Sequence, residues 1–349
     1  MPLPTRPLGT TGMDLTVVGL GSWAVGGPGW SFGWGPQDDE ESLAAIRHGI
    51  ESGINWVDTA AAYGVGHAEE VVARALHGLP AQDRPYLFTK CGVLVDPADP
   101  YAKPRRAAAP ASIRAELEAS LRRLEVERVD LYQLHWPPDD GTALEDYWST
   151  MLALKDEGKI RAAGLSNHSL AQLEAAAAIG HVDSLQPPFS AIARQAAGEL
   201  AWCEAHGTGA IVYSPMHSGL LTGAFSEARA ASLRDDDWRA RDPEFQGERL
   251  ERNLALASAL GSVARRHGTT TAALSVAWTL GWPGVSAAIV GARRPAQVDD
   301  WLPAATVQLG EEDLDEIGRA IEALGVGSGP SRPPKRTPPA PAAPPEGRQ

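Results

Sequence analysis

The rhythm of this chain constrains its fold more than any other feature. Short apolar runs fall at 17–20, 55–57, 86–89, 129–134, 160–165, 183–185, 210–213 and 286–290. Amphipathic stretches of helical period lie between them, at 38–51, 68–76, 110–123, 144–156, 170–179, 194–206, 248–266 and 271–280. Segments 298–302 and 311–324 add closing helices. Alternation of this kind is the signature of βαβ units and a parallel sheet. Eight such pairs fit an α/β chain folded as one closed (β/α)8 TIM barrel, and they also fit two doubly wound domains. No linker divides the first 325 residues, and unusual polar residues stand at several strand ends, which suits the barrel. Ser169 has the chemistry of a helix cap and Pro110 that of a first helical residue. Gly53, Gly158 and Gly207 each follow a helical stretch as C-terminal caps do.

Two segments break the rhythm. Residues 8–16 are short and Gly-punctuated, and are expected to form a hairpin under the barrel. Residues 216–247 are long and polar, follow the seventh strand, and are expected to overhang the active face. The barrel is placed at 1–327. Residues 328–349 are expected to be a disordered, Pro-rich tail, with eight prolines from Pro330 onward and no hydrophobic period.

Composition removes several functions. With 44 acidic against 31 basic residues and a net charge of −13, the chain lacks the basic footprint of a nucleic-acid binder. Cys91 and Cys203 share no metal-ligand spacing, so no metal site is expected. Two cysteines and no apolar leader suit a reducing, cytoplasmic setting. No run approaches the length of a membrane span.

Chemistry concentrates at the strand ends. Asp58, Lys90 and His135 close three successive strands, the rim where barrel enzymes keep their reactive groups. A lysine there is costly to bury without a partner. Tyr63 follows Asp58 by five residues. An adjacent ammonium favours phenolate and makes a phenol a better acid, while a carboxylate holds that ammonium charged. An imidazole beside them can orient a carbonyl oxygen. The set suits polarising a C=O while another reagent delivers a nucleophile. There is no HExxH, no Cys/His cluster, and no well-placed Ser–His–Asp arrangement or glycosidase carboxylate pair. A hydride from a nicotinamide cofactor is the natural missing reagent. The Rossmann fingerprint is absent, since Gly64-Val65-Gly66 is too short for it. Segments 214–223 and 290–295 instead offer backbone N–H groups, hydroxyls and the pair Arg293 and Arg294 after strands seven and eight, where barrels often bind phosphate.

Four motifs resemble those of the aldo-keto reductases: Leu20-Gly21-Ser22-Trp23-Ala24-Val25-Gly26-Gly27, Trp56-Val57-Asp58-Thr59-Ala60-Ala61-Ala62-Tyr63-Gly64, Asp130-Leu131-Tyr132-Gln133-Leu134-His135-Trp136-Pro137 and 158–167. The resemblance runs from about residue 8 to 325 and is nearest to the bacterial general-stress and inositol-cluster branch. It implies a barrel binding NADPH, with NADH use open, and a small-molecule carbonyl substrate. The catalytic tetrad would be Asp58, Tyr63, Lys90 and His135, with Tyr63 the general acid. Gly21, Ser22 and Trp23 would touch cofactor, Trp23 also substrate, and Trp136 substrate. Ser166, Asn167 and Gln186 would hold the carboxamide, and Tyr213 would stack on nicotinamide. Ser214, Pro215, Leu220 and Gly223 would bind pyrophosphate. Gly291, Ala292, Arg293, Gln297 and Asp300 would bind the adenosine end. Many members have lysine and serine at 291 and 292 and arginine at 297, so the phosphate grip here falls to the Gly-Ala-Arg turn. The acidic part of 216–247 would cover the cofactor as a lid. Polyol oxidation with NAD(P)+, or a cofactor-sensing regulatory role with little turnover, are the alternatives. Oligomeric state is undefined.

Overall fold

The computed structural model describes residues 2–334. Eight strands carry the architecture: β1 Val18–Gly21, β2 Trp56–Asp58, β3 Tyr86–Cys91, β4 Val129–Leu134, β5 Ile160–Ser166, β6 Ser184–Gln186, β7 Gly209–Tyr213 and β8 Val285–Gly291. All neighbours pair in parallel, and the sheet closes in the order β6-β7-β8-β1-β2-β3-β4-β5. Pairing of Val290 with Leu20 joins the last strand to the first. Two doubly wound domains are therefore excluded. The helices between strands are α1 Asp39–Glu51, α2 His67–Leu76, α3 Pro110–Leu124, α4 Leu144–Asp156, α5 Leu170–Ile179 and α6 Ala197–His206; α7 Gly247–Arg266, α8 Thr271–Leu280, α9 Pro295–Trp301 and α10 Glu311–Leu324 complete the ring.

The barrel interior is a packed core rather than a pore, as parallel barrels require. Trp56, Phe88, Leu131, Ile211 and Ala287 point inward. Leu8, Met13 and Leu15 join them from below, on a hairpin whose strands are Thr5–Pro7 and Asp14–Thr16. The Trp56 indole donates to the Thr16 carbonyl at 2.8 Å, fastening the plug to the start of β2. With the N-terminal mouth sealed, only the C-terminal mouth can hold ligand.

Some expected boundaries move, each for a local reason. Helix α6 begins at Ala197, not Arg194, because the buried Arg194 guanidinium donates to the Ala191 and Val326 carbonyls and holds a loop there. Helix α9 begins at Pro295, a residue that loses nothing at a first helical position. The first residues of the expected tail make defined contacts. Ser328 accepts from the Arg194 backbone N–H, and Arg332 pairs with Glu311 and Asp315 of α10. Residues 328–334 thus pack on the barrel, and the rest of the expected tail lies outside the described residues. Segment 216–247 is not structureless. It holds a distorted turn His217–Thr222, a short helix Glu227–Ala231 and single turns Trp238–Arg241 and Pro243–Phe245. Among the described residues no helix is long and apolar enough to cross a membrane.

His168, just past β5, fixes the turn that carries Asn167. Its Nδ1–H donates to the Ser166 carbonyl at 2.8 Å, and its Nε2 meets the Tyr147 hydroxyl at 3.2 Å. Burial pushes its pKa down to about 4. Below about pH 6.5 an unfolded His168 takes up a proton that the folded side chain declines until near pH 4. Stability therefore falls as pH drops through that window, by roughly 3 kcal/mol for this residue. Denaturation midpoints measured from pH 7.5 to 4 should fall less steeply in a His168→Asn protein than in the wild type. Parallel slopes would assign the acid sensitivity to another group.

Candidate active site

At the open mouth, Asp58 ends β2 and Lys90 sits one residue from the end of β3, both almost fully buried. Lys90 Nζ donates to Asp58 Oδ1 at 2.5 Å and to the Thr59 carbonyl at 2.8 Å, and stands 3.4 Å from the Tyr63 hydroxyl. The second carboxylate oxygen of Asp58 accepts from Gln186 Nε2 at 2.9 Å and Gln133 Nε2 at 3.4 Å. Burial pushes Asp58 up and Lys90 down, each against the pull of the other's charge. A further buried carboxylate, Glu69, favours the lysine's charge; it accepts from Thr89 at 2.5 Å and Arg123 at 2.6 Å.

Tyr63 opens a tight turn, Tyr63–Gly66, in which Gly64 and Val65 adopt left-handed φ of 60° and 57°. Gly64 lies flat against Gly26, and an added Cβ would collide with the Gly26 carbonyl. The turn thereby pins the phenol over the lysine. Charged neighbours are expected from the sequence to bring this phenol toward neutrality. The structure corrects that: burial and the Asp58 charge hold its pKa well above 10. The ion pair is neutral as a whole, so it does not ionise the phenol, which stays a protonated donor.

His135 follows β4. Its backbone N–H donates to the Cys91 carbonyl at 2.9 Å, and its own carbonyl accepts from Asn167 Nδ2 at 2.9 Å. Its ring meets Tyr63 edge-on, centroids 5.7 Å apart. Burial and the charges of Lys90 and Arg106 depress its pKa well below 6.5, so the imidazole is neutral.

From this group a cleft of about 730 Å³ runs past β7 and β8. Gly21, Ser22, Trp23, Trp136, Asn167, Gln186, Tyr213, Ser214, Pro215, Gly223, Gly291, Ala292, Arg293, Gln297 and Asp300 all border it, with Asp58, Tyr63 and His135. Lys90, Ser166 and Leu220 lie behind its wall. Ser166 Oγ donates to the Gln186 carbonyl at 2.8 Å, and Leu220 packs in the outer core. Asn167, at φ 61°, has both amide ends engaged: Nδ2 also donates to Ser166 Oγ, and Oδ1 accepts from the Tyr213 hydroxyl at 2.8 Å. Gln186 is tied to Asp58 through Nε2, while the residue still borders the cleft.

Arg293 also departs from expectation. Its guanidinium donates to Gln37 Oε1 at 2.5 Å and to the Trp34 and Pro36 carbonyls, and its backbone N–H donates to Gln297 Oε1 at 2.8 Å. It braces the loop after β1, leaving only part of its fork for a ligand. Arg294 is exposed, with no partner among the described residues. The 216–247 segment reaches across to the same loop. Trp238 donates its backbone N–H to the Gly33 carbonyl at 3.0 Å and stacks on Trp23 at 5.2 Å, with Trp34 edge-on to both. Arg239, clamped by Asp237, lies 4.6 Å from the Trp34 ring. Gln37, Trp34, Trp238, Arg239 and the supporting role of Gln133 were not legible in local spacing; the only signals were the tryptophan density of 23–34 and the charge patch at 234–242.

The cleft fits a nicotinamide dinucleotide. Its lining pairs aromatic side chains, among them Trp23 and Tyr213, with Arg239, Arg293 and Arg294. Aromatic walls and arginines at the far end match flat rings and phosphate.

Residues 17–322 match the Aldo/keto reductase family. Aldo-keto reductase YhdN of Bacillus subtilis is 34% identical over 314 residues, covering 89% of this chain and 92% of its own length. NADH-specific methylglyoxal reductase of Escherichia coli is 31% identical over 328 residues, covering 91% and 98%. The structure of a glycerol dehydrogenase from Gluconobacter oxydans superposes with a TM-score of 0.82 at 33% identity, covering 97% of this chain and 99% of that one. The barrel, its polar mouth and these likenesses agree, and the chain belongs to the aldo/keto reductase family, an NAD(P)H-dependent oxidoreductase acting on carbonyl compounds.

Proposed function

We propose that the protein reduces aldehyde and ketone carbonyls to alcohols, prefers NADPH, and uses Tyr63 as the general acid. The observation that carries this is the buried chain Asp58–Lys90–Tyr63 at the barrel mouth, with the lysine 3.4 Å from the phenol. The bound nicotinamide supplies the hydride. Tyr63 gives its proton to the substrate oxygen. Phenolate charge develops only as that proton leaves, and the ammonium of Lys90 then meets it, so the benefit falls on the transition state. Asp58 aims Lys90, while Gln186 and Gln133 aim Asp58. Neutral His135 donates an N–H to the same substrate oxygen. Tyr213, anchored through Asn167, supplies a flat face to the cofactor.

The same phenolate would serve as base in the reverse direction. The likeness to a glycerol dehydrogenase keeps NAD(P)+-dependent polyol oxidation as the second reading. The Gly-Ala-Arg turn at 291–293 supports the bacterial general-stress and inositol-cluster branch. Two buried, unbridged cysteines support a cytoplasmic setting.

Two measurements test these roles. Tyr63→Phe should lower kcat at least about a hundredfold, while calorimetric cofactor affinity stays within about twofold. Wild-type turnover in that variant would remove Tyr63 as the acid. Arg294→Ala and Arg293→Ala should each weaken NADPH about tenfold more than NADH, the scale of a charge-assisted bond. Equal losses for both cofactors would place the ribose phosphate elsewhere.

A further inference from the structure

The wall of the cleft beyond His135 is built by two strands, Val93–Leu94 and Arg105–Arg106, that form a small antiparallel ribbon after β3. The backbone of Arg106 is fixed on both sides: it pairs with Val93, and its carbonyl accepts from the Asp139 N–H at 3.0 Å. Its guanidinium lies 4.3 Å from the centre of the Trp136 ring. Both residues border the cleft beside His135, and Lys103 borders it nearby. Stacking on an indole orients a guanidinium without consuming its N–H donors.

The carboxylates in reach of this ribbon do not neutralise it. Asp140 is committed to the backbone N–H groups of Ala108 and Thr142. Among the described residues Arg106 has no ion pair and no side-chain hydrogen bond. Three large apolar side chains, Trp23, Trp30 and Phe32, also border the cleft. A half-buried, oriented, unpaired cation in an otherwise aromatic substrate chamber is expensive unless something negative is meant to meet it. Burial first, then Lys90, and last the charge of Arg106 lower the pKa of His135.

We propose that Arg106 is a specificity-determining residue, and that the substrate is an aldehyde or ketone bearing a carboxylate or phosphate away from its carbonyl. This rests on the reductase reading above. The carbonyl sits at Tyr63 and His135, the anionic group at the Arg106 fork, and Trp136 keeps the fork facing inward.

Matched substrate pairs test it: 4-carboxybenzaldehyde against methyl 4-formylbenzoate, and glyceraldehyde 3-phosphate against glyceraldehyde, each followed by NADPH oxidation. Wild-type kcat/KM should favour the anion at least tenfold in one pair, and which pair responds distinguishes carboxylate from phosphate. In Arg106→Gln that ratio should fall at least tenfold, through KM rather than kcat. Arg106→Lys, which keeps the charge but loses the fork, should give an intermediate ratio and guards against a misfolded Gln variant. A wild-type ratio near one in both pairs, or a ratio untouched in both variants, overturns the proposal. No turnover of any of the four compounds would instead overturn the reductase reading on which it stands.

Discussion

A lysine buried at the mouth of a barrel obliges its surroundings. Lys90 is held by Asp58, Asp58 by Gln186 and Gln133, and the layer beneath by Glu69, Thr89 and Arg123. Removing one partner of such a pair leaves an uncompensated charge, typically about 3–5 kcal/mol. The whole assembly is nearly neutral, which is why it can lie under a phenol without ionising it. Its field becomes useful only when the phenol starts to lose its proton. Structure and reactivity therefore draw on one interaction, and residues from β2, β3, β4 and β6 must keep register for it to exist.

The fold was legible because it is written locally. Alternation of apolar runs with helical stretches places eight strands, and closure follows from their number. The polar residues at strand ends are legible for the same reason, since each is the last residue of a run. What local pattern cannot carry is partnership across the barrel. Gln186 reads only as a ligand contact, and its Nε2 also meets Asp58, 128 positions away. Arg293 reads as a phosphate ligand, yet much of its fork braces a loop 256 positions earlier. Arg194 reads as the start of a helix, and its long-range bond to Val326 forbids it. Motif resemblance singled out Asp58, Tyr63, Lys90 and His135; it did not reveal which side chains hold them in place, because those contacts arise only when separate βα units meet.

The roof of the cleft shows how the loops divide their labour. The loop after β1 is the common anchor: Arg293 grips it from β8, while Trp238 and Arg241 grip it from the segment after β7. Three loops far apart in sequence thus form one bridge above the dinucleotide end. The ribbon bearing Arg106 joins the same anchor through its loop, where the Ser31 N–H and hydroxyl donate to the Pro100 and Ala102 carbonyls. All four loops vary on an unchanged barrel, which fits the fold's capacity to host many chemistries.

Five of the eleven tryptophans, Trp23, Trp30, Trp34, Trp136 and Trp301, border this one cleft. They line it from the loop after β1 to helix α9, while others, such as Trp56 and Trp148, are sealed in the core. The molecule thereby carries a built-in optical gauge. Its near-ultraviolet emission divides into a population that senses whatever enters the cleft and a population that senses only whether the barrel is intact, so occupancy and unfolding have separate spectral signatures in a single unlabelled sample.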